Sequence, residues 1–262
     1  MMKIVVTGSE GFIGKALCKN LRSRGVEVVG IDRVCGTEAA GVPCLLAGGG
    51  IDAVIHLAAQ TSVFNSDHEK ILRDNIDSFV AIADGCNRFG VKLVYASSST
   101  ANPCNTTSMY GVSKHFDEVY ASIYCRNATG VRLHNVYGPD QRKGTLLYVL
   151  MNQEKVRLYN GGMNTRCFTY IDDVVDGLIY AIGSDKKLVN IVNPESCTIL
   201  QFAEEVRKYN GIDIQCVSEK REFDNPVQSV DEGIFSVPLN YTSVSKGIAK
   251  VFGCEERSKD KD

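Results

Sequence analysis

The stretch "VVTGSEGFIGKAL", residues 5–17, decides the fold. An apolar, strand-like run stops at Thr7, and glycines follow at every third position, Gly8, Gly11 and Gly14. An amphipathic pattern begins there, so the glycines make the turn from a strand into a helix. Glycine permits a tight turn and close backbone approach, and a helix N-terminus offers free N–H groups to a pyrophosphate. Phe12 and Ile13 lie in that first turn and are expected at the same ligand. Glycine-rich strand–helix turns also arise for packing reasons, so the next strand matters. It reads "VEVVGID" and ends in Asp32, 18 residues past Gly14. A carboxylate there can accept both hydroxyls of an adenosine ribose. It would also repel a 2′-phosphate, which favours NAD over NADP. Arg33, next in the chain, argues the other way, because its guanidinium could neutralise that phosphate.

Outward from this turn the alternation continues. "DAVIHLAA" leads to a helix over residues 67–89, "VKLVYAS" to a helix opening at "SMYGVSK", and "GVRLHNVYG" follows. Near-continuous Val/Ile/Leu strands separated by helices indicate a parallel sheet covered on both faces. Right-handed crossovers then give a doubly wound α/β fold. The run "VPCLL" reads as the third strand. After residue 137 the pattern loosens into Gly- and Asn-rich loops, which predicts a small C-terminal lobe. The expected division is 1–136 for the nucleotide-binding domain, with 168–183 packing back onto it, and 137–262 mainly for the lobe.

The chain of 262 residues is 44% hydrophobic and 23% charged, with a formal net charge of −2. No strong field attracts nucleic acid or anionic lipid. No apolar run reaches the ~18 residues needed to span a bilayer, and the N-terminus enters a strand at once without a signal-peptide pattern. A cytoplasmic protein is expected. The ten cysteines stand singly, with no CxxC and no Cys/His pair at zinc spacing, so reduced thiols and no metal site are expected. Cys18, Cys86 and Cys125 fall in helix-like segments, Cys44 and Cys216 in strand-like ones. The tail "EERSKDKD" reads as a frayed terminus.

Seven segments in order, "TGSEGFIG", "DAVIHLAAQ", "RDNIDSF", "LVYASSST", "YGVSK", "VRLHNVYGP" and "RCFTYIDDVVDG", resemble the extended short-chain dehydrogenase/reductase family. Within it the chain is similar to the NAD-dependent nucleotide-sugar epimerases and dehydratases. The likeness runs from residue 3 to about 183; the last 80 residues match only in outline. It implies a Rossmann sheet with a small C-terminal substrate-binding lobe, a nucleotide-diphosphate sugar as substrate, and a homodimer formed through the helices around 67–89 and 108–127.

The resemblance also implies site residues. Leu57, Ala58 and Ala59 would line the cofactor groove, with Gln60 near the ribose or phosphates, although an Ala pair also serves close helix packing. Asn75 would touch the cofactor, although an interior Asn can equally bond only backbone. Ser97 and Ser98 end a strand at the carboxyl edge, where ligands bind in such sheets; Ser98 takes the catalytic Ser/Thr position, and Ser99 adjoins the sugar. Tyr110 and Lys114 form the YxxxK pair. Residues i and i+4 share a helix face, so Lys114 can approach both the phenol and the nicotinamide ribose. Its charge, with that of the oxidised nicotinamide, would favour the phenolate of Tyr110, and Tyr110 then acts as general base. Asn135 and Arg166 match residues that contact the diphosphate; a surface arginine is the bland alternative for Arg166. His56 and His134 read as packed histidines, and Asp172 and Asp173 as helix-capping acids.

Two departures stand out. The segment between Asp32 and "DAVIHLAA" is some ten residues shorter than in the family, and "VPCLL" lacks the acid that usually meets adenine. Only eleven residues, Ser99–Met109, separate Ser98 from Tyr110. The family's "VYG" and a longer loop are missing, Asn102 replacing the aromatic.

A 4-epimerase is the leading function. A 4,6-dehydratase needs an Asp-Glu pair just after the catalytic Ser/Thr, where this chain has Ser99 and Thr100. A keto-sugar reductase using exchangeable NADPH, and a non-catalytic NAD(H)-binding module, are the alternatives.

Overall fold

The computed structural model describes residues 1–221 and 224–254; the tail read as a frayed terminus, 255–262, lies outside them. The chain opens with β1 (Lys3–Thr7), α1 (Phe12–Ser23), β2 (Glu27–Ile31), α2 (Val42–Ala47) and β3 (Ala53–His56). Then come α3 (His68–Ile71), α4 (Ser78–Phe89), β4 (Lys92–Ser98), α5 (Met109–Tyr124), β5 (Ala128–Leu133) and β6 (Val136–Tyr137). The remainder is α6 (Leu146–Asn152), β7 (Lys155–Leu158), β8 (Thr165–Cys167), β9 (Thr169–Tyr170), α7 (Ile171–Ile182), β10 (Leu188–Ile191), β11 (Ser196–Thr198), α8 (Ile199–Asn210), β12 (Asp213–Cys216) and α9 (Val244–Val251).

Two compact units emerge. The first comprises Met1–Leu133, Val174–Ile191 and Ser229–Pro238. Its sheet has six strands in the order β10-β5-β4-β3-β1-β2, every pair parallel. Strand order reverses at β1, whose Val6 pairs with Gly30 of β2 on one side and Ile55 of β3 on the other. Ligands of open α/β sheets bind beyond the strand ends at such a switch point. Ile4, Val5, Val6, Val54, Ile55 and Val94 are fully buried, as a sheet covered on both faces requires. One layer closes over it with Leu46 of α2 and Phe79 and Ile82 of α4, Phe79 meeting Tyr95 edge-on at 5.0 Å.

The expected third strand is not a strand. "VPCLL" forms α2, with Pro43 in its first turn, and β2 is therefore the edge of the sheet. Proline has no N–H for a ladder but suits the start of a helix. Cys44 consequently sits on a helix and is exposed, while Cys18, Cys86 and Cys125 are buried; all ten cysteines are free thiols. The helix expected over 67–89 is interrupted by a π-helical stretch, Leu72–Asp77, a distortion that is frequent at functional sites. It turns Asp74 and Asn75 into the protein.

A charged network ties the first unit together. Arg132 of β5 grips Glu118 of α5 through Nε and Nη2, both at 2.7 Å. The Ser97 hydroxyl donates to Glu118, and Arg132 Nη1 reaches Asp231 at 3.2 Å. Segment 229–238 runs beside β10, with Val237 N–H donating to the Asn190 carbonyl.

The second unit holds residues 134–173, 192–221, 224–228 and 239–254 of those described. Its short pairings are β11 with β8, β12 with β7, and β6 with β9. An aromatic cluster forms its core: Phe168 stacks on Phe202 at 3.9 Å, and Tyr137 meets Phe202 and Tyr170 edge-on. Helix α8 begins with a capping box, Thr198 with Gln201. Asp172 and Asp173 do lie in the first turn of α7, but their carboxylates are spent on Lys250 and on the Thr242 N–H and hydroxyl.

Candidate active site

The glycine turn sits at the switch point. Gly8 has φ +69°, and a Cβ there would lie 2.8 Å from the Ala58 nitrogen after β3; only glycine lets the two turns approach. A Cβ on Gly14 would collide with the Gly8 carbonyl. Gly11 is the N-cap of α1 and is exposed; no side chain caps this 12-residue helix, and its first turn holds no acid. The N–H groups of Phe12, Ile13 and Gly14 thus stand at an uncapped positive end, a fit for a pyrophosphate.

Asp32 bridges this turn to the end of β2. Its carboxylate accepts from the Glu10 N–H at 3.0 Å and the Val34 N–H at 3.1 Å, leaving acceptor capacity for a ribose diol. Arg33 is occupied. Its guanidinium holds Asp74 through two bonds of 2.7 and 2.9 Å and Glu38 through Nε at 2.8 Å. These bonds raise Arg33 above its ordinary value, and Arg33 in turn holds the Asp74 carboxyl well below the usual range. Gln60 Nε2 donates to the same Asp74 at 2.9 Å. An arginine so engaged is a poor neutraliser of a 2′-phosphate beside Asp32. NADH should therefore bind more than about tenfold tighter than NADPH, since like charges set together cost more than one such factor. Titration of both by protein fluorescence checks this, and freeing the arginine in Asp74→Asn/Glu38→Gln should narrow the gap. Tighter NADPH binding by the unaltered protein would contradict it.

Leu57 and Ala58 donate their N–H groups to Thr7 Oγ1, each at 3.2 Å, which closes the loop after β3; Ala59 follows them, half-buried. Asn75 is fully buried and its amide is used internally. It accepts from Gln60 N–H at 2.7 Å and donates to the Gln60 carbonyl and to Ser113 Oγ. It thus shapes the Gln60 turn. His56 Nδ1 meets Thr7 Oγ1 at 2.7 Å. Burial first, and the Lys114 charge second, push its pKa down to about 3, so it stays neutral.

At the end of β4 the two serines diverge. Ser97 points its hydroxyl at Glu118. Ser98 caps a short turn over Ser99–Ala101, taking the Thr100 N–H at 3.2 Å and sharing a proton with Thr100 Oγ1 at 2.8 Å. The Ser99 carbonyl receives Asn105 Nδ2 at 3.0 Å. The shortened loop is firmly built: Asn105 also exchanges bonds of 2.7 and 2.9 Å with the backbone of Ser229, and Thr106 Oγ1 donates to the Thr100 carbonyl at 2.6 Å.

Ser108 then caps α5 by accepting from Gly111 N–H. Tyr110 is half-buried one turn before Lys114. Lys114 is 2% exposed and its Nζ lies 3.0 Å from Asp117 Oδ2. Burial works against the ammonium, yet Asp117 and Tyr110 outweigh it and Lys114 titrates above its ordinary value.

In the second unit, Asn135 is exposed with φ 27°, an uncommon conformation for a residue other than glycine. Arg166 is 8% exposed, so it is no surface arginine. It pairs with Asp224 and donates to the Thr165 carbonyl; burial lowers its pKa against the pull of Asp224. Arg221 lies over the Tyr159 ring at 4.2 Å and Arg157 at 5.8 Å. His134 is buried. Asp74, Asn105 and Asp117 bear on the site but are singled out by no motif that the sequence displays. The Lys114-to-Asp117 spacing of three on a helix was the one readable signal.

Sheet order and the uncapped helix above its switch point place the chain among the dinucleotide-binding α/β enzymes. Residues 4–193 match the NAD dependent epimerase/dehydratase family, and the chain belongs to it. Its cofactor is NAD. Protein CapI of Staphylococcus aureus is 25% identical over 280 residues, covering 80% of this chain and 84% of that one. Among solved structures, TunA, an NAD-dependent NDP-hexosamine 5,6-dehydratase of tunicamycin biosynthesis, superposes with a TM-score of 0.83 at 22% identity over 96% and 97% of the two chains. The UDP-glucuronic acid 4-epimerase of Bacillus cereus, bound to UDP-glucuronic acid and NAD, gives 0.80 at 23% over 97% and 98%. At such identities the fold is shared, and the sugar and reaction are not read from it. No helix among the described residues is long and apolar enough to cross a membrane. Among the same residues no cluster of His, Cys, Asp or Glu is placed to hold a metal.

Proposed function

We propose that this protein is a 4-epimerase of a nucleotide-diphosphate sugar. The observation that carries the reading is the half-buried Tyr110 one helical turn from the buried, charged Lys114, with Ser98 closing β4 of the same unit. Tyr110 accepts the C4 hydroxyl proton, Ser98 orients that hydroxyl, and Lys114 supports the tyrosine and the nicotinamide ribose. NAD, when bound, supplies a reversible hydride acceptor. The resulting 4-keto sugar turns over and the proton returns from Tyr110 to the other epimer. Ser99 and Thr100 carry no carboxylate to remove water, which disfavours a 4,6-dehydratase. Asn135 and Arg166 are the candidate ligands of the diphosphate, Arg166 exchanging Asp224 for phosphate oxygens. The reading includes a homodimer, supported by the exposed stripe Val112, Phe116, Val119 and Ile123 along α5.

Denaturing the purified protein and identifying the released nucleotide tests the reading. Retained NAD supports the epimerase; exchangeable NADPH would favour a keto-sugar reductase. Because the "VYG" loop is absent, discrimination among UDP-, dTDP- and GDP-hexoses should be shallow, with kcat/KM ratios within about tenfold, the range one lost pocket contact spans. A steep preference for one sugar would show that another segment rebuilds that wall.

A further inference from the structure

Asp117 is fully buried, and no motif accounts for it. One carboxylate oxygen, Oδ2, lies 3.0 Å from Lys114 Nζ; the other, Oδ1, has no hydrogen-bond partner among the described residues. A carboxylate taken out of water with half its acceptor capacity unused is unfavourable by itself. Its position is dictated by helix geometry, three residues after the lysine on one face of α5. From the neighbouring elements its charge is felt by the buried Tyr95 phenol of β4. On its own helix it faces Glu118, whose charge is held by Arg132 of β5. Lys114 in turn feels Tyr110 and, at longer range, Glu118 on α5, and it acts on the neutral His56 of β3. Lys114 is the cation paired with Asp117 among the described residues, and without Asp117 the buried ammonium would keep only the distant influence of Glu118, whose oxygens are bonded to Arg132.

We propose that Asp117 is the positioning residue of Lys114, an internal counter-ion that keeps the ammonium charged and fixed beside Tyr110 before cofactor arrives. The proposal rests on Lys114 serving the site described above. The contact also has an energetic asymmetry. Burial raises the Asp117 carboxyl to about 6 despite Lys114, so the pair is weakened as pH falls through that value and is intact above it. Between about pH 7 and 9 the lysine of the unaltered protein is therefore held ionised. Removing the carboxylate leaves burial to dominate, and Lys114 releases its proton more readily.

The test is a 13C NMR titration of the cofactor-free full chain labelled at lysine Cε, the Lys114 signal being assigned by its absence in Lys114→Met. The unaltered protein should show a Lys114 midpoint above that of an ordinary lysine. Asp117→Asn and Asp117→Ser should each move it down by more than about one pH unit, as loss of a contacting opposite charge does. NADH affinity, followed by fluorescence, should stay level from pH 7 to 9 in the unaltered protein and weaken with rising pH in both variants. A purely packing role would leave both the midpoint and the pH dependence of affinity unchanged, and that result overturns the proposal. If neither variant folds, a Lys114 midpoint at or below the ordinary lysine value in the unaltered protein overturns it equally. No substrate enters these measurements, so their failure is separate from failure of the epimerase reading.

Discussion

Tyr110→Phe should lower kcat by at least about 100-fold, since general acid–base groups contribute about 10²–10⁴ in rate. The substitution keeps the ring in its half-buried place at the head of α5 and removes only the phenol oxygen to which the proposal assigns the proton transfer. Cofactor affinity should change little, because the proposed mechanism gives the ribose contact to Lys114. Lys114→Ala should weaken both affinity and turnover; it also strands Asp117, a buried carboxylate whose bonded partner is that lysine. Ser98→Ala should reduce rate less than Tyr110→Phe, because the Thr100 hydroxyl already sits 2.8 Å from Ser98 Oγ and can hold a sugar hydroxyl in its stead. Steady-state kinetics with NADH titrations on the three variants measures all of this. Near-normal turnover of Tyr110→Phe on a confirmed substrate would reduce "SMYGVSK" to a helix start and favour a binding module.

The largest effect on stability should come from Arg132→Met. Arg132 and Glu118 are 6% and 7% exposed and joined by two bonds of 2.7 Å. Breaking a buried pair from one side costs about 3–5 kcal/mol, because the remaining charge is left uncompensated. Here the loss spreads, since Glu118 also anchors Ser97 at the end of β4 and Arg132 reaches Asp231 beside β10. Chemical denaturation should show that loss in Arg132→Met and recover most of it in Arg132→Met/Glu118→Leu, which removes both charges together. A single variant within about 1 kcal/mol of the unaltered protein would show that Glu118 is not left uncompensated when Arg132 is removed.

Placements that follow from local spacing were legible in the sequence. Gly8, Gly11 and Gly14 announce a strand–turn–helix, Asp32 ends the next strand, and Tyr110 and Lys114 share a helix face; each relation spans a few residues of local geometry. The third strand failed for the reason short apolar runs often fail: five residues of "VPCLL" satisfy a strand and a buried helical turn equally, and Pro43 at the head of α2 was the overlooked discriminator. Relations between distant residues were not legible. Arg33 meets Asp74 across 41 positions of chain, and its engagement there, rather than its identity, decides whether it can serve a 2′-phosphate. The sequence leaves Asn75 open between a cofactor contact and a backbone bond, and the π-helical stretch that carries it sets its bonds to Gln60. The short loop before Tyr110 reads as a deletion; only the Asn105 bonds to Ser99 and Ser229 reveal it as a built turn.

In the proposed reading Tyr110, Lys114 and Ser98 serve an internal oxidation and re-reduction at C4. A UDP-hexose carrying deuterium at C4, incubated with the purified protein and no added cofactor, tests it most directly. The expected product is the C4 epimer with deuterium retained at C4, because the hydride leaves and returns without meeting solvent. Loss of the label to water, or a deoxy-keto sugar in place of the epimer, would contradict it.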